Sequence, residues 1–194
     1  DTAPTVTSGA VAVAIDENSG AGQIIYTATA DDSEDIGDVF IFSLTEDSDA
    51  ALSIDSATGA VTLSTDPDHE TQSQYSFTVI ATDAAGNVSD AQAVILDINN
   101  LDEVAPTILS SGSVSVLESA GANASVYLAL ADDTADFSAQ VTFSLSEDSD
   151  TALTINSETG VVTLFDEPDF AAKPSYSFTV IADDGVNQSQ KAVT

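Results

Sequence analysis

The feature that most constrains the fold is an internal repeat with a period of roughly one hundred residues. Glu17 falls on Glu118, Gly20 on Gly121, Tyr26 on Tyr127, and the pair Asp31-Asp32 on Asp132-Asp133. FSLTEDSDAAL from Phe42 returns as FSLSEDSDTAL from Phe143, and IDSATGAVTL from Ile54 returns as INSETGVVTL from Ile155. YSFTVIA stands unchanged from Tyr75 and again from Tyr176. The period is far too long for a solenoid unit and has the size of a β-sandwich domain. The sequence therefore predicts two copies in tandem, over residues 1–99 and 107–194, separated by a joint at 100–106.

Within each copy, short apolar alternations are interrupted by turn residues often enough for about seven strands. Val11, Val13 and Ile15 alternate up to Asp16-Glu17, and Ile24, Tyr26, Ala28 and Ala30 follow a Ser-Gly-Ala-Gly turn. After an acidic loop, Phe40, Phe42 and Leu44 give the next inward face. Leu52 and Ile54 lead through Thr58-Gly59 into Val61 and Leu63, the pattern of a hairpin. Tyr75, Phe77, Val79 and Ala81 form the cleanest strand, and Val94, Leu96 and Ile98 the last. No segment sustains a helical period. The expected fold class is all-β, as two tandem seven-stranded antiparallel Greek-key sandwiches. The second copy stops at Thr194, in mid-strand by comparison with Val94, so the expectation is a piece of a longer protein.

Charge excludes whole classes of partner. Thirty-three acidic residues face 2 basic ones, for a net charge of -31. Nucleic acid needs Lys and Arg to displace its counterions, and an anionic membrane surface would repel this chain. A hydrophobic content of 43% is too high for an acidic disordered tail. There is no cysteine, hence neither a disulfide framework nor a thiolate metal site. No apolar run reaches the roughly 20 residues of a membrane-spanning helix. Catalysis also finds little support, because a partnered histidine and cationic stabilisers are lacking. The pair Asp68 and Glu70 could suggest glycoside hydrolysis, but no aromatic sugar platform accompanies it.

The acidic positions fall into two groups. TEDSD and SEDSD lack the glycine and the bidentate glutamate of an EF-hand loop, so they read as solvated turns. The second group converges on the joint, VILDINNLDEVAP from Val94, where a buried face passes directly into a row of oxygen donors. Glu17 ends the first strand, Asp68 and Glu70 flank His69 in a proline-marked loop, and Asn100, Asp102 and Glu103 lie in the joint. Asp132, Asp133 and Asp184 lie in loops of the second copy. In a sandwich these elements reach the end that faces the joint. Calcium accepts six to eight oxygens, mixing carboxylate and amide donors, and fits such a set. The expected metal ligands are thus Glu17, Asp68, Glu70, Asn100, Asp102, Glu103, Asp132, Asp133 and Asp184. Asp97 with Asn99 offers a second register, and His69 would point outward.

In this order and spacing the motifs resemble tandem cadherin repeats, in the divergent form found in large bacterial surface adhesins of the RTX and biofilm type. The resemblance rests on Glu17; Ala30, Asp32 and Glu34; Asp68-His69-Glu70; Ala81-Thr82-Asp83; and Asn100, Asp102, Glu103 and Pro106. Copy two supplies Glu118; Ala131 and Asp133; Asp169; and Ala182-Asp183-Asp184. It implies calcium ions at each joint, with Asp32 and Asp83 serving an upstream one, and neighbouring repeats as partners. The function expected is an extracellular, non-catalytic extender and adhesion array on a bacterial cell surface. The alternative is a β-sandwich module that binds polysaccharide or another copy of itself. Two departures bear on this: Asn-x-Asp-Glu at the joint, and Ala171 where copy one has Glu70.

Overall fold

The computed structural model describes residues 2–33, 39–135 and 140–194. Glu34, part of the expected motif after the second strand, lies outside the described residues. The chain divides into two compact units, Asp1–Leu101 and Asp102–Thr194.

Unit 1 runs β1 Thr5–Val6, β2 Ile15–Asp16, β3 Gln23–Thr27, β4 Ala30–Asp31, β5 Phe40–Leu44, β6 Leu52–Ile54, β7 Ala60–Leu63, β8 Gln74–Asp83 and β9 Gln92–Asn99. One sheet has the order β2-β9-β8-β5, a second the order β3-β7-β6, and β1 pairs with β4. Their inner faces meet in a core that includes Phe42, Val61, Leu63, Tyr75, Phe77, Val79, Val94, Leu96 and Ile98. The alternation read along the eighth and ninth strands holds, since Tyr75, Phe77, Val79 and Ala81 are all buried. Tyr26 meets Phe77 edge to face at 5.4 Å. The hairpin from Leu52 to Leu63 is present as the antiparallel pair β6 and β7. Its turn is held by the Asp55 carboxylate, which accepts from the Thr58 amide at 2.8 Å. Gly59 is required there: its φ is +71°, and an added Cβ would lie 2.5 Å from the Ala28 carbonyl oxygen.

Three expectations change. Val11 and Val13 face solvent, while Ala12 between them is buried. Pairing with β9 lapses between the Val11 bridge and Ile15, and the inward phase resets across that gap. Ile24 is likewise exposed and Ile25 buried, because a β-bulge between Ile24 and Tyr26 inserts one residue against β7. The pairing is also not wholly antiparallel. β2 runs parallel to β9, with Ile15 opposite Ile98 and Asp16 opposite Asn99. Two strands that run the same way finish at the same end, and this brings Glu17 beside the start of the joint.

Unit 2 repeats the plan with β10 Thr107–Ile108, a 3-10 turn at Glu118–Ala120, β11 Ala124–Leu128, β12 Ala131–Asp132, β13 Thr142–Leu145, β14 Leu153–Ile155, β15 Val161–Leu164, β16 Phe178–Asp183 and β17 Gln188–Val193. Its sheets are β11-β15-β14 and β13-β16-β17, with β10 paired to β12. The bulge recurs between Ser125 and Tyr127. Tyr127 stacks edge to face on Phe178 at 5.5 Å, as Tyr26 does on Phe77. Gly160 repeats the constraint at Gly59, with a φ of +69° and 2.4 Å between an added Cβ and the Ala129 oxygen. A groove of about 330 Å³ runs beside Val116, Tyr176 and Phe178.

Candidate metal centre

Each unit carries a group of carboxylates at one end. In unit 1 the parallel pairing carries Glu17 to the end of the sheet, where its amide donates to the Asn99 carbonyl at 3.2 Å. The side chain is 2% exposed. A buried carboxylate must be matched by donors, and two backbone amides supply them. His69 N–H donates to Oε2 at 2.7 Å, and Leu101 N–H to Oε1 at 2.6 Å. Glu17 thus ties the loop after Pro67 to the last residues of the unit. Beside it, Glu70 Oε1 accepts from the Asn100 side-chain amide at 3.1 Å and lies 3.5 Å from His69 Nδ1. The Asn100 Oδ1 atom is buried and has no hydrogen-bond partner among the described residues.

The other residues expected near this end are engaged elsewhere. Asp68 is exposed and closes its own turn, accepting from the Thr71 amide at 2.9 Å and its hydroxyl at 2.8 Å. The Thr71 hydroxyl, and then its amide, hold the Asp68 carboxyl below its ordinary value. In the alternative register, Asp97 accepts from Gln74 at 2.7 Å, and the Asn99 amide donates to Asp16 at 2.9 Å. Both side chains stand on the exposed face of β9, and Ile98 between them is buried.

In unit 2, Asp102, Asp133 and Asp184 each present an oxygen within 4.8 Å of the others. Asp102 comes from the segment leading into β10, Asp133 follows β12, and Asp184 follows β16. Two strand ends and the segment entering the unit therefore set the cluster, which is why residues so far apart in sequence meet. Asp133 is buried. Asp184 Oδ1 accepts from the amides of Val186 at 2.8 Å and Asn187 at 2.6 Å. Its Oδ2 is buried and has no hydrogen-bond partner among the described residues. The Asn187 side-chain amide donates to Asp102 Oδ1 at 3.0 Å and to the Asp102 carbonyl at 3.1 Å. Asp132 is exposed and accepts from the Thr134 hydroxyl at 2.9 Å, outside this cluster. Glu103 is exposed.

Among the described residues, both lysines have partners outside the cluster. Lys173 pairs with Asp150 and lies 4.6 Å from the Tyr176 ring centroid, while Lys191 donates to the Ile108 carbonyl at 3.3 Å. Carboxylates this close repel by on the order of 3 kcal/mol per pair at an effective dielectric near 20. An all-oxygen set with a buried carboxylate oxygen that has no partner among the described residues fits a hard cation such as calcium.

The equivalent positions of unit 1, Asp32 and Asp83, are also buried. The Asn87 side chain donates to Asp83 Oδ2 at 2.7 Å, and the amides of Ala85 and Asn87 donate to Oδ1 at 2.9 and 2.8 Å. The Asn87 amide is the main cause that keeps the Asp83 carboxyl below its ordinary value, against the desolvation of its site. Neither asparagine is among the ligands that the sequence predicts. The available signal was an Asn a few residues after the last Asp of each copy's Ala-x-Asp.

The family model of the cadherin domain matches residues 12–99. The resemblance read from the motifs is thus supported independently across unit 1. The chain is 30% identical over 152 residues to the protocadherin-like wing polarity protein stan of Drosophila melanogaster, an alignment covering 74% of this chain and 4% of that protein. Against the human cadherin EGF LAG seven-pass G-type receptor 2 it is 28% identical over 194 residues, or 97% of this chain and 6% of the relative. It therefore spans a small fraction of the length of these relatives. Among solved structures, the mouse cadherin-23 fragment EC22-24 aligns over 100% of this chain and 65% of its own, with a TM-score of 0.78 and 20% identity. Human protocadherin-24 EC1-2 aligns over 100% and 94%, with a TM-score of 0.77 and 18% identity. The all-β, cadherin-like fold is shown by these likenesses. Among the described residues, no helix is long and apolar enough to cross a membrane.

Proposed function

We propose that the two units are calcium-rigidified extender and adhesion repeats of a large cell-surface protein, without catalytic activity. Each unit is read as a seven-stranded Greek-key sandwich, with residues 100–106 as the joint. The observation that carries this reading is the cluster of Asp102, Asp133 and Asp184, which holds a buried carboxylate oxygen without a partner among the described residues. Cadherin domains generally bind calcium, and the donor set here has the matching chemistry. Glu17, Glu70, Asn100 and Glu103 are proposed as the remaining ligands. Asp68 and Asp132, committed to their own turns, would hold no ion directly. Bound calcium offsets the mutual repulsion of these carboxylates and stabilises the folded chain by mass action.

A bacterial surface as the setting rests on the motif resemblance alone, since the relatives compared are animal proteins. The rival module that binds polysaccharide would need exposed aromatics. Among the described residues these are Phe165 and Phe170, both in unit 2, and no tryptophan accompanies them. Calorimetry in excess calcium and in chelator tests the main reading. At a hundredfold excess over Kd the folded state gains about 2.7 kcal/mol, a rise of about 10 °C or more in the melting of a unit this size. Superimposable melting curves would refute it.

A further inference from the structure

We infer that Asn187 is a positioning residue for the unit 2 cluster, setting its cation affinity by holding Asp102 in place; the inference rests on the metal reading above. The argument begins with the turn after β16. Asp184 Oδ1 caps that turn through the amides of Val186 and Asn187, and the Asp184 amide returns a bond to the Asn187 carbonyl at 3.3 Å. The backbone of Asn187 is therefore fixed by the aspartate that it serves. Its side chain is then directed to a second element, the segment that enters the unit. One amide nitrogen donates to both the side-chain Oδ1 and the main-chain oxygen of Asp102. Side chain and backbone of Asp102 are thus both anchored to the Asp184 turn.

Unit 1 shows what the same amide does otherwise. Asn87, on the matching turn, donates to Asp83 Oδ2. The equivalent oxygen in unit 2, Asp184 Oδ2, is the buried atom that has no hydrogen-bond partner among the described residues. So the amide has two alternative acceptors, the Oδ2 of its own aspartate and the aspartate of the entering segment. In unit 2 it takes the second. That choice orients one ligand and leaves the other ligand's oxygen open to a cation. A cation entering the cluster finds Asp102 already ordered, and the entropy of fixing that residue is not charged against binding. Partners that orient a metal ligand in this way commonly change metal affinity by about 10–100-fold when removed.

The test is a double-mutant cycle on the full chain, read by calorimetric titration with calcium chloride. Asn187→Ala should weaken binding at the site abolished by Asp184→Ala by about tenfold. The same substitution placed on Asp102→Ala should weaken it no further, because the residue through which Asn187 acts is gone. Asn87→Ala, the matched loss in unit 1, should leave this site unchanged. Melting in chelator checks that each variant is folded; if Asn187→Ala is not, Asn187→Gly, which any turn accommodates, enters the same cycle. An unchanged affinity in Asn187→Ala, or an equal loss with and without Asp102, overturns the inference and leaves calcium binding standing. A wild-type chain that takes up no calcium overturns the metal reading and the inference with it.

Discussion

Glu17→Gln separates the structural role of a buried carboxylate from its role toward an ion. In the native chain Glu17 is 2% exposed and accepts one backbone amide on each oxygen, at 2.6 and 2.7 Å. Glutamine has nearly the same shape but one acceptor, so its NH₂ must face either His69 N–H or Leu101 N–H. One charge-assisted bond becomes a neutral one, and one backbone N–H is left buried against another donor. A lost charge-assisted bond and a stranded donor together cost about 2–4 kcal/mol. For a unit of roughly 100 residues this lowers the melting temperature by about 10–20 °C. Scanning calorimetry should be run in chelator, where no ion contributes. The unit 1 transition should fall by that amount and the unit 2 transition should stay. If both transitions hold, the two amides do not support the buried charge, and Glu17 would matter only as a ligand.

Phe77→Ala should cost unit 1 about 3–5 kcal/mol, since the ring is buried and meets Tyr26 edge to face; Phe178→Ala should do the same to unit 2, and urea denaturation of each would show it. Gly59→Ala should destabilise unit 1 despite the small change, because its φ of +71° and the 2.5 Å approach to the Ala28 oxygen leave no room for a Cβ. Asp68→Ala should leave calcium affinity unchanged and lower stability slightly through loss of the Thr71 turn bonds, as titration and melting on one sample would show. Acid should weaken the fold as well. Asp55, Asp68 and Asp83 are held below their ordinary value of 3.8 by Thr58, Thr71 and Asn87 respectively, so their contribution is full above that value. It is lost as pH falls through the lower folded values, which a pH series of denaturation midpoints would follow.

Much of the fold was legible because its signals are local and doubled. Tyr75, Phe77, Val79 and Ala81 alternate without interruption, and Gly59 and Gly160 mark the same turn in both copies. The phases at Val11 and Ile24 were not legible. A bulge or a lapse in pairing shifts the inward face by one residue, and alternation alone does not record where pairing fails. Acidic spacing indicated which loops carry carboxylates but not what each carboxylate does. Asp132 and Asp133 are neighbours in sequence, yet one faces Thr134 and the other joins Asp102 and Asp184. Asn187 is not legible in the sequence, because an amide that orients a carboxylate has no charge signature of its own.

The carboxylate-bearing ends of the two units solve the same electrostatic problem in different ways. A carboxylate withdrawn from water can be satisfied by fixed donors or by a cation, and the count of fixed donors shows which. Glu17 has an amide on each oxygen and gains stability from the protein alone. Asp184 has two amides on one oxygen and, among the described residues, none on the other. The first arrangement is complete as built and would tolerate an ion at its edge. The second leaves a full acceptor buried beside two further carboxylates, which costs free energy unless positive charge enters. Asp83 lies between these cases, since the Asn87 amide covers its second oxygen. An ion approaching Asp83 must displace a neutral donor, whereas one approaching Asp184 displaces none among the described residues. On that physical ground the Asp184 cluster should fill at lower calcium than a site built on Asp83, which makes it the first place to look for a bound ion.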